Sequence, residues 1–140
     1  MHKEVLHPKG VANPQEMRGR DPAGYPWSQA VKVRGDTLLF IAGQSSVNKD
    51  GLVAWKGDML KQTEQCLTNL RSILEEAGGN LSNVTSTIWF VTSAQDFYKS
   101  GASTLRWKFF EKDFPTSTLV EVKGLANPEL MVEVQAYAVL

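Results

Sequence analysis

Residues 131–139 read Met-Val-Glu-Val-Gln-Ala-Tyr-Ala-Val. Side chains alternate faces along a strand. Val132, Val134, Ala136 and Ala138 therefore form one face, and Met131, Glu133, Gln135 and Tyr137 the other. The first face is small and apolar and suits packing beneath helices. The second carries a carboxylate at mid-strand. Working outward, Asp58 to Ala77 is the clearest helix. Met59, Leu60, Cys66, Leu67, Leu70, Ile73, Leu74 and Ala77 fall on a 3.6-residue stripe, with Asp58 as N-cap and Gly78 just past the C-terminus. Val84 to Val91 is rich in β-branched and aromatic residues and reads as a strand. Phe97 to Phe110 reads as a second helix, weakened by Gly101, and residues 117–122 form another strand. Nearer the N-terminus, residues 28–34 and 37–42 flank Gly35-Asp36 and predict a β-hairpin with a two-residue turn. Residues 52–54 predict a short strand after the turn Asn48-Lys-Asp-Gly51. This order predicts an α+β domain: one mixed, mainly antiparallel sheet with two helices packed on one face. The helices leave the Glu133 face uncovered, and a partner subunit is the natural cover.

With 140 residues, the chain suits one domain. We place it at residues 26–140, after an irregular N-terminal arm at 1–25 broken by Pro8, Pro14 and Pro22. An arm lying on the domain and a disordered tail both fit that composition. Lys plus Arg total 15 and Asp plus Glu total 15, so the formal net charge is zero. Such balance argues against a nucleic-acid partner, which calls for a basic stripe. No apolar run approaches the roughly 20 residues that span a bilayer, and the arm has no apolar segment of the signal-peptide kind. No membrane partner is expected, and a cytoplasmic setting fits the single cysteine. Cys66 excludes an internal disulfide and any cysteine-cluster zinc site, and its place in the apolar stripe makes it a core residue. Near-zero net charge also removes a barrier to self-association.

The chain has no P-loop, no dinucleotide fingerprint, no His-Glu-x-x-His and no Cys-x-x-Cys. Both histidines, His2 and His7, lie in the arm. Neither a Ser-His-Asp triad nor a metal site is expected, and no cofactor is implied. Glu133 reads either as a solvated strand carboxylate or, once a second subunit covers its face, as a proton shuttle. Trp27 opens the first strand of the domain. It reads as a core or interface residue, or as a stacking surface for a planar ligand.

The chain from about Pro26 onward resembles the RidA/YjgF family, also labelled endoribonuclease L-PSP. The resemblance rests on Pro26-Trp-Ser-Gln-Ala-Val-Lys-Val33, Gly35-Asp36, Leu39-Phe-Ile-Ala-Gly-Gln44, Asp50-Gly51 and Gln62-Thr-Glu-Gln65. It continues through Asn69-Leu70, Leu74-Glu-Glu-Ala-Gly78, Asn83-Val84, Asp96-Phe97, Phe114-Pro115, Val120-Glu-Val122 and Val132-Glu-Val134. It implies a chorismate-mutase-like fold and a homotrimer with small-molecule sites in the clefts between subunits. The implied activity is hydrolysis of 2-enamines and 2-imines to 2-keto acids and ammonia, without metal or organic cofactor. In that family an arginine binds the substrate carboxylate and a glutamate near the C-terminus handles the water.

Residue by residue, the resemblance assigns the catalytic glutamate to Glu133 and substrate contacts to Trp27, Gly43, Ser103, Ser117, Thr118 and Leu119. Trp27 stands where the family has tyrosine, Ala42 where it has serine and Ser103 where it has asparagine. The family's arginine lies two residues after a proline, and after Pro115 that position holds Ser117. Losing a bidentate carboxylate anchor argues against a standard 2-iminoacid deaminase. Two readings remain: a divergent hydrolase of an imine, enamine or related metabolite, and a non-catalytic metabolite-binding protein on the same trimer. Arg18, Arg20 and Arg106 are the candidates to replace the missing cation. The balanced charge counts against RNA cleavage.

Overall fold

A computed structural model describes residues 1–20 and 23–140; Pro22, one of the breaks read in the arm, lies outside them. Strands β1 (His2–Leu6) and β2 (Ala30–Arg34) form a two-stranded antiparallel sheet. Strands β3 (Leu38–Ser45), β4 (Val84–Val91), β5 (Thr116–Glu121) and β6 (Val132–Val139) form a second sheet in the order β3-β6-β4-β5. β6 runs antiparallel to both β3 and β4, and β4 pairs in parallel with β5. β3, β4 and β5 thus share one direction. Helix α1 (Met59–Glu76) carries the chain from β3 to β4, and α2 (Ala94–Lys99) with α3 (Ala102–Phe110) from β4 to β5.

The core lies between these helices and one face of the larger sheet. Val132, Val134, Ala136 and Ala138 of β6 are fully buried against Cys66, Leu67, Leu70 and Leu74 of α1. The opposite face stays open: Glu133, Gln135 and Tyr137 are only half-buried, and Phe40 of β3 is 71% exposed. The α+β architecture expected from the strand at 131–139 is what the chain adopts. Asp58 caps α1 by accepting from the Lys61 N–H at 2.9 Å, and Gly78 leaves the helix at φ +85°.

Several local readings are corrected. The expected hairpin at 28–42 does not form, because β2 pairs with β1 and β3 with β6. Gly35-Asp36 is instead a corner in which the Asp36 N–H donates to the Leu140 carbonyl at 3.1 Å. A Cβ on Gly35 would stand 2.4 Å from that oxygen. The turn residues dictate that the chain bends; strands distant in sequence dictate what pairs. The irregular arm holds β1, which Lys3 ties to the main sheet by donating to the carbonyls of Ser82 (3.2 Å) and Val84 (2.6 Å). The strand read at 52–54 reduces to a single bridge, Val47 to Val53. The second helix is two, broken at Gly101 with φ +84°, so three helices cover the sheet face where two were expected. Ser93 caps the first of them, accepting from the Asp96 N–H at 3.1 Å.

Gln62 is fully buried on α1, which the apolar stripe did not indicate. Its Oε1 accepts from the Met131 N–H at 2.8 Å, and its Nε2 donates to the Glu129 carbonyl at 3.0 Å and the Trp55 carbonyl at 3.2 Å. One amide thus fastens the entry to β6 onto the helix. Gln62→Leu strands these backbone groups without partners and is expected to cost about 2–3 kcal/mol in urea denaturation. A cost below about 0.5 kcal/mol would show that the tether contributes little.

Candidate functional site

Glu133 owes its place to an irregularity in β3. Ile41 pairs with Ala136 and Gln44 with Val134, so Ala42 and Gly43 together face the single residue Gln135. This is a β-bulge, a device that re-aims side chains at a sheet edge. It brings Gly43 beneath the Glu133 carboxylate. A Cβ on Gly43 would sit 1.8 Å from Oε1 and 2.7 Å from Cδ of Glu133. The carboxylate therefore occupies the space a side chain would fill, on the open face of the sheet. The Gln44 Nε2 donates to the Ala42 carbonyl at 3.1 Å and braces the bulge. Phe90 of β4 lies beside Glu133 in register.

The charge of Glu133 is felt across the strand. Burial, and then the Glu133 carboxylate, push the Cys66 thiol up to about 12, and its Sγ lies 3.7 Å from the Val132 carbonyl. The thiol is a protonated core group, as its place in the stripe implied. Its folded pKa lies above the ordinary thiol value of 9.0. Its contribution is therefore fully present below pH about 9 and is lost as pH rises from there towards 12. Over that window the wild type is expected to lose stability relative to Cys66→Ala by up to about 1.4 kcal/mol per pH unit. Parallel curves for the two proteins in denaturant titrations from pH 8 to 11 would refute this.

A second cluster lies beneath β5. Parallel pairing sets Ser117 opposite Thr87, Thr118 opposite Ile88 and Leu119 opposite Trp89. Thr87 and Trp89 face the helices, so Ser117 and Leu119 do too, whereas Thr118 points to the open face. Arg106 of α3 is 2% exposed and joins the two candidate serines. Its Nη1 donates to Ser117 Oγ at 3.2 Å, its Nη2 to Ser103 Oγ at 2.9 Å and its Nε to the Ser103 carbonyl at 3.1 Å. The guanidinium lies over the rings of Trp89 and Phe97, at 5.7 and 5.4 Å from their centroids. Trp27 stands at the start of β5: the next residue, Ser28, bridges Thr116, donates its N–H to the Pro115 carbonyl at 3.0 Å and its hydroxyl to the Phe114 carbonyl at 2.6 Å.

The candidate residues thus divide into two groups. Gly43 and Glu133 adjoin on the open face, with Thr118 on the same face two strands away. Ser103 and Ser117 meet through Arg106 on the helix side, with Trp27 near the β5 end and Leu119 packed into the core. Within one chain, Glu133 and Ser117 lie on opposite faces of the sheet. Of the three arginines, Arg18 donates to the carbonyls of Gln15 and Met17, and Arg20 lies over the Tyr98 ring at 5.5 Å. Arg106 is the one that reaches Ser117. Its spacing was a usable signal, since Ser103 and Arg106 at i and i+3 share a helix face. A cavity of about 310 Å³ lined by Arg71, Glu75, Lys108 and Phe109 contains none of these residues. Among the described residues no three His, Cys, Asp or Glu side chains are grouped as a metal site requires, and no helix is long and apolar enough to cross a membrane.

Comparison with known proteins places the chain. The family model described as Endoribonuclease L-PSP matches residues 19–140. A RutC family protein of Pyrococcus horikoshii is 35% identical, over 81% of this chain and 86% of its own length. The 3-aminoacrylate deaminase RutC of Acinetobacter baylyi is 26% identical over 99% of this chain and 98% of its own. Among solved structures, the Rid family protein YyfB of Yersinia pestis, itself of unknown function, superposes with a TM-score of 0.84 at 29% identity, covering both chains fully. The YjgF gene product of E. coli gives 0.64 at 30% identity, over 81% of this chain and 87% of its own. The fold, the matched span and these relatives agree: the chain belongs to the RutC/RidA/YjgF family.

Proposed function

We propose that this protein is a homotrimer that binds a small metabolite between subunits and hydrolyses an imine or enamine there, with Glu133 as general acid and base. The observation that carries this reading is the Glu133 carboxylate seated over the side-chain-free bulge at Gly43, on a sheet face its own chain leaves open. A neighbouring subunit laid on that face would exclude water around the carboxylate and bring a second group of site residues to it. Trp27, Ser117 and Thr118 of one subunit would then complete a cleft begun by Gly43 and Glu133 of another, with Ser103 and Leu119 behind them on the helix side. The relative named 3-aminoacrylate deaminase acts on an enamine, which supports the substrate class.

The chemistry needs water and proton transfers. An enamine takes a proton at its β-carbon to become an imine. Water then adds to the imine carbon, its proton passing through the carboxylate, and the tetrahedral carbinolamine expels ammonia as the carbonyl forms. One C=N bond is exchanged for one C=O bond, with no change in oxidation state. Glu133 is placed to give and take those protons. A second reading, a binding protein without turnover, is favoured by Ser117 standing where the family has its arginine.

The test is ammonia release from a panel of imines and enamines generated in situ, with 2-iminopropanoate as the standard substrate expected to be among the poorest, alongside light scattering. We expect acceleration over the enzyme-free rate and a mass about three times 15.5 kDa. A monomer in solution would overturn the cleft. Saturable 2-keto-acid binding without turnover would favour the second reading.

A further inference from the structure

We propose that Gln15, in the N-terminal arm, positions the Trp27 ring at the cleft, and that the ring so held makes the cleft prefer a ligand with a flat apolar body. The inference rests on the cleft reading and names a determinant of what the cleft accepts. Gln15 precedes residues 19–140, the span that the family model matches. Its place comes from a short 3-10 turn at Pro14–Glu16. Asn13 caps that turn by accepting from the Gln15 N–H at 3.2 Å, and Pro14 is buried with its φ fixed by its own ring. The turn grips the segment that leads into the domain. The Pro14 carbonyl accepts from the Tyr25 N–H at 2.9 Å. Gln15 Nε2 donates its two hydrogens to the carbonyls of Tyr25, at 3.4 Å, and of Trp27. Gly24 lies against the Gln15 carbonyl with φ +88°, and a Cβ there would collide with that oxygen. Two residues past Trp27, Gln29 Nε2 reaches back to the Ala12 carbonyl at 2.9 Å.

These contacts fix the Trp27 backbone and leave its ring to follow. The Trp27 N–H donates to the Tyr25 carbonyl at 2.9 Å, across the buried Pro26, and its carbonyl accepts from Gln15. The next residue, Ser28, is fastened on the other side to the carbonyls of Phe114 and Pro115. The indole has no comparable restraint. It is half-buried, and among the described residues its N–H has no hydrogen-bond partner and its ring pairs with no other ring. Trp107 differs, donating its N–H to the Gly24 carbonyl at 3.3 Å, and so does Trp89, which packs on Phe97. A ring aimed only by its backbone is aimed by whatever holds that backbone, and on the arm side that is Gln15. Such a ring presents an uncharged apolar surface in a set direction. It covers a flat apolar or aromatic group on a ligand and gains little from a methyl group. A ring ordered beforehand also loses little entropy when the ligand arrives. Without the Gln15 amide, the ligand itself must order the Trp27 segment. Gln15 is a positioning residue, acting through Trp27.

The experiment has two arms, both on the full-length protein. Isothermal titration calorimetry compares phenylpyruvate with pyruvate, which differ by the phenyl group alone. Wild type is expected to bind phenylpyruvate at least about tenfold tighter. Gln15→Met and the isosteric Gln15→Glu offer no N–H to the two carbonyls. Each narrows the ratio to within about threefold and leaves the affinity for pyruvate within about twofold of wild type, and either decides if the other fails to fold. Trp27→Ala abolishes the preference, and adding Gln15→Met to it changes nothing further. Lys3→Met, which loosens the same arm away from Trp27, keeps the preference. The second arm is fluorine NMR of protein carrying fluorotryptophan at its four tryptophans, with lines assigned by Trp27→Phe and Trp89→Phe. Gln15→Met moves or broadens the Trp27 line and leaves the line of the buried Trp89 in place, which a general loss of stability does not do. A Trp27 line indifferent to Gln15→Met overturns the proposal, as does a ratio narrowed equally by Lys3→Met. Equal affinity of wild type for the two acids, with both lost in Gly43→Val, also overturns it and keeps the cleft. No binding of either acid, or binding indifferent to Gly43→Val, overturns the cleft and the proposal with it.

Discussion

Glu133→Gln is expected to slow ammonia release by about 10²- to 10⁴-fold, the usual contribution of a positioned acid or base, while moving stability by less than about 0.5 kcal/mol. Glutamine keeps the shape of the side chain and removes the carboxylate that would carry the proton. The carboxylate is half-buried on the open sheet face and takes no part in the core, so the fold has little reason to notice. Gly43→Ala is the companion test. Its Cβ would overlap Oε1, at 1.8 Å, and must displace the carboxylate. Activity should fall toward that of Glu133→Gln with the carboxylate still present. Steady-state ammonia release for the three proteins, with denaturation curves as control, decides the matter. Unchanged turnover in Glu133→Gln would remove Glu133 from the mechanism, whatever the behaviour of Gly43→Ala.

The largest expected effect on stability is at Trp89. Its side chain is fully buried in β4 and packs on Phe97 at 5.8 Å between ring centroids, with the Arg106 guanidinium over its face at 5.7 Å. Trp89→Ala opens a cavity under both helices after β4 and should cost about 3–5 kcal/mol. Against a total of about 5–15 kcal/mol for a typical domain, that is a large share. Trp89→Phe should cost much less, below about 2 kcal/mol. Most of the ring remains, and the lost Nε1–H has no hydrogen-bond partner among the described residues, so its removal ends an unmet desolvation cost. Urea unfolding separates the two. Equal losses in both variants would mean that the indole N–H, and not the ring volume, stabilises this part of the core.

The helix α1 and the strands β4 and β6 were legible because their signals are periodic and local. A stripe at 3.6 residues or an alternation at two needs no knowledge of the rest of the chain. The hairpin at 28–42 was misread because Gly35-Asp36 specifies a bend and nothing about pairing. β1, 24 or more residues away, takes the partner's place through the register His2 to Arg34. Gly101 was visible as a weak point, and its positive φ turned a weak point into a break. In the site, Glu133 was legible from alternation and from resemblance. The bulge that seats it on Gly43 was not, because it depends on the offset between β3 and β6.

The sequence by itself determined the layer architecture, the open sheet face and the carboxylate on it, since these follow from which side chains alternate and which faces are apolar. It also showed that the family's arginine position holds Ser117. Only the tertiary structure decided what Ser117 meets. Arg106 and Ser117 are eleven residues apart on a helix and a strand, and their contact comes from packing α3 under β5. Pattern reports what one element presents; the meeting of two elements is set by the shape and burial of what packs around them, here Trp89 and Phe97, over whose rings the Arg106 guanidinium lies.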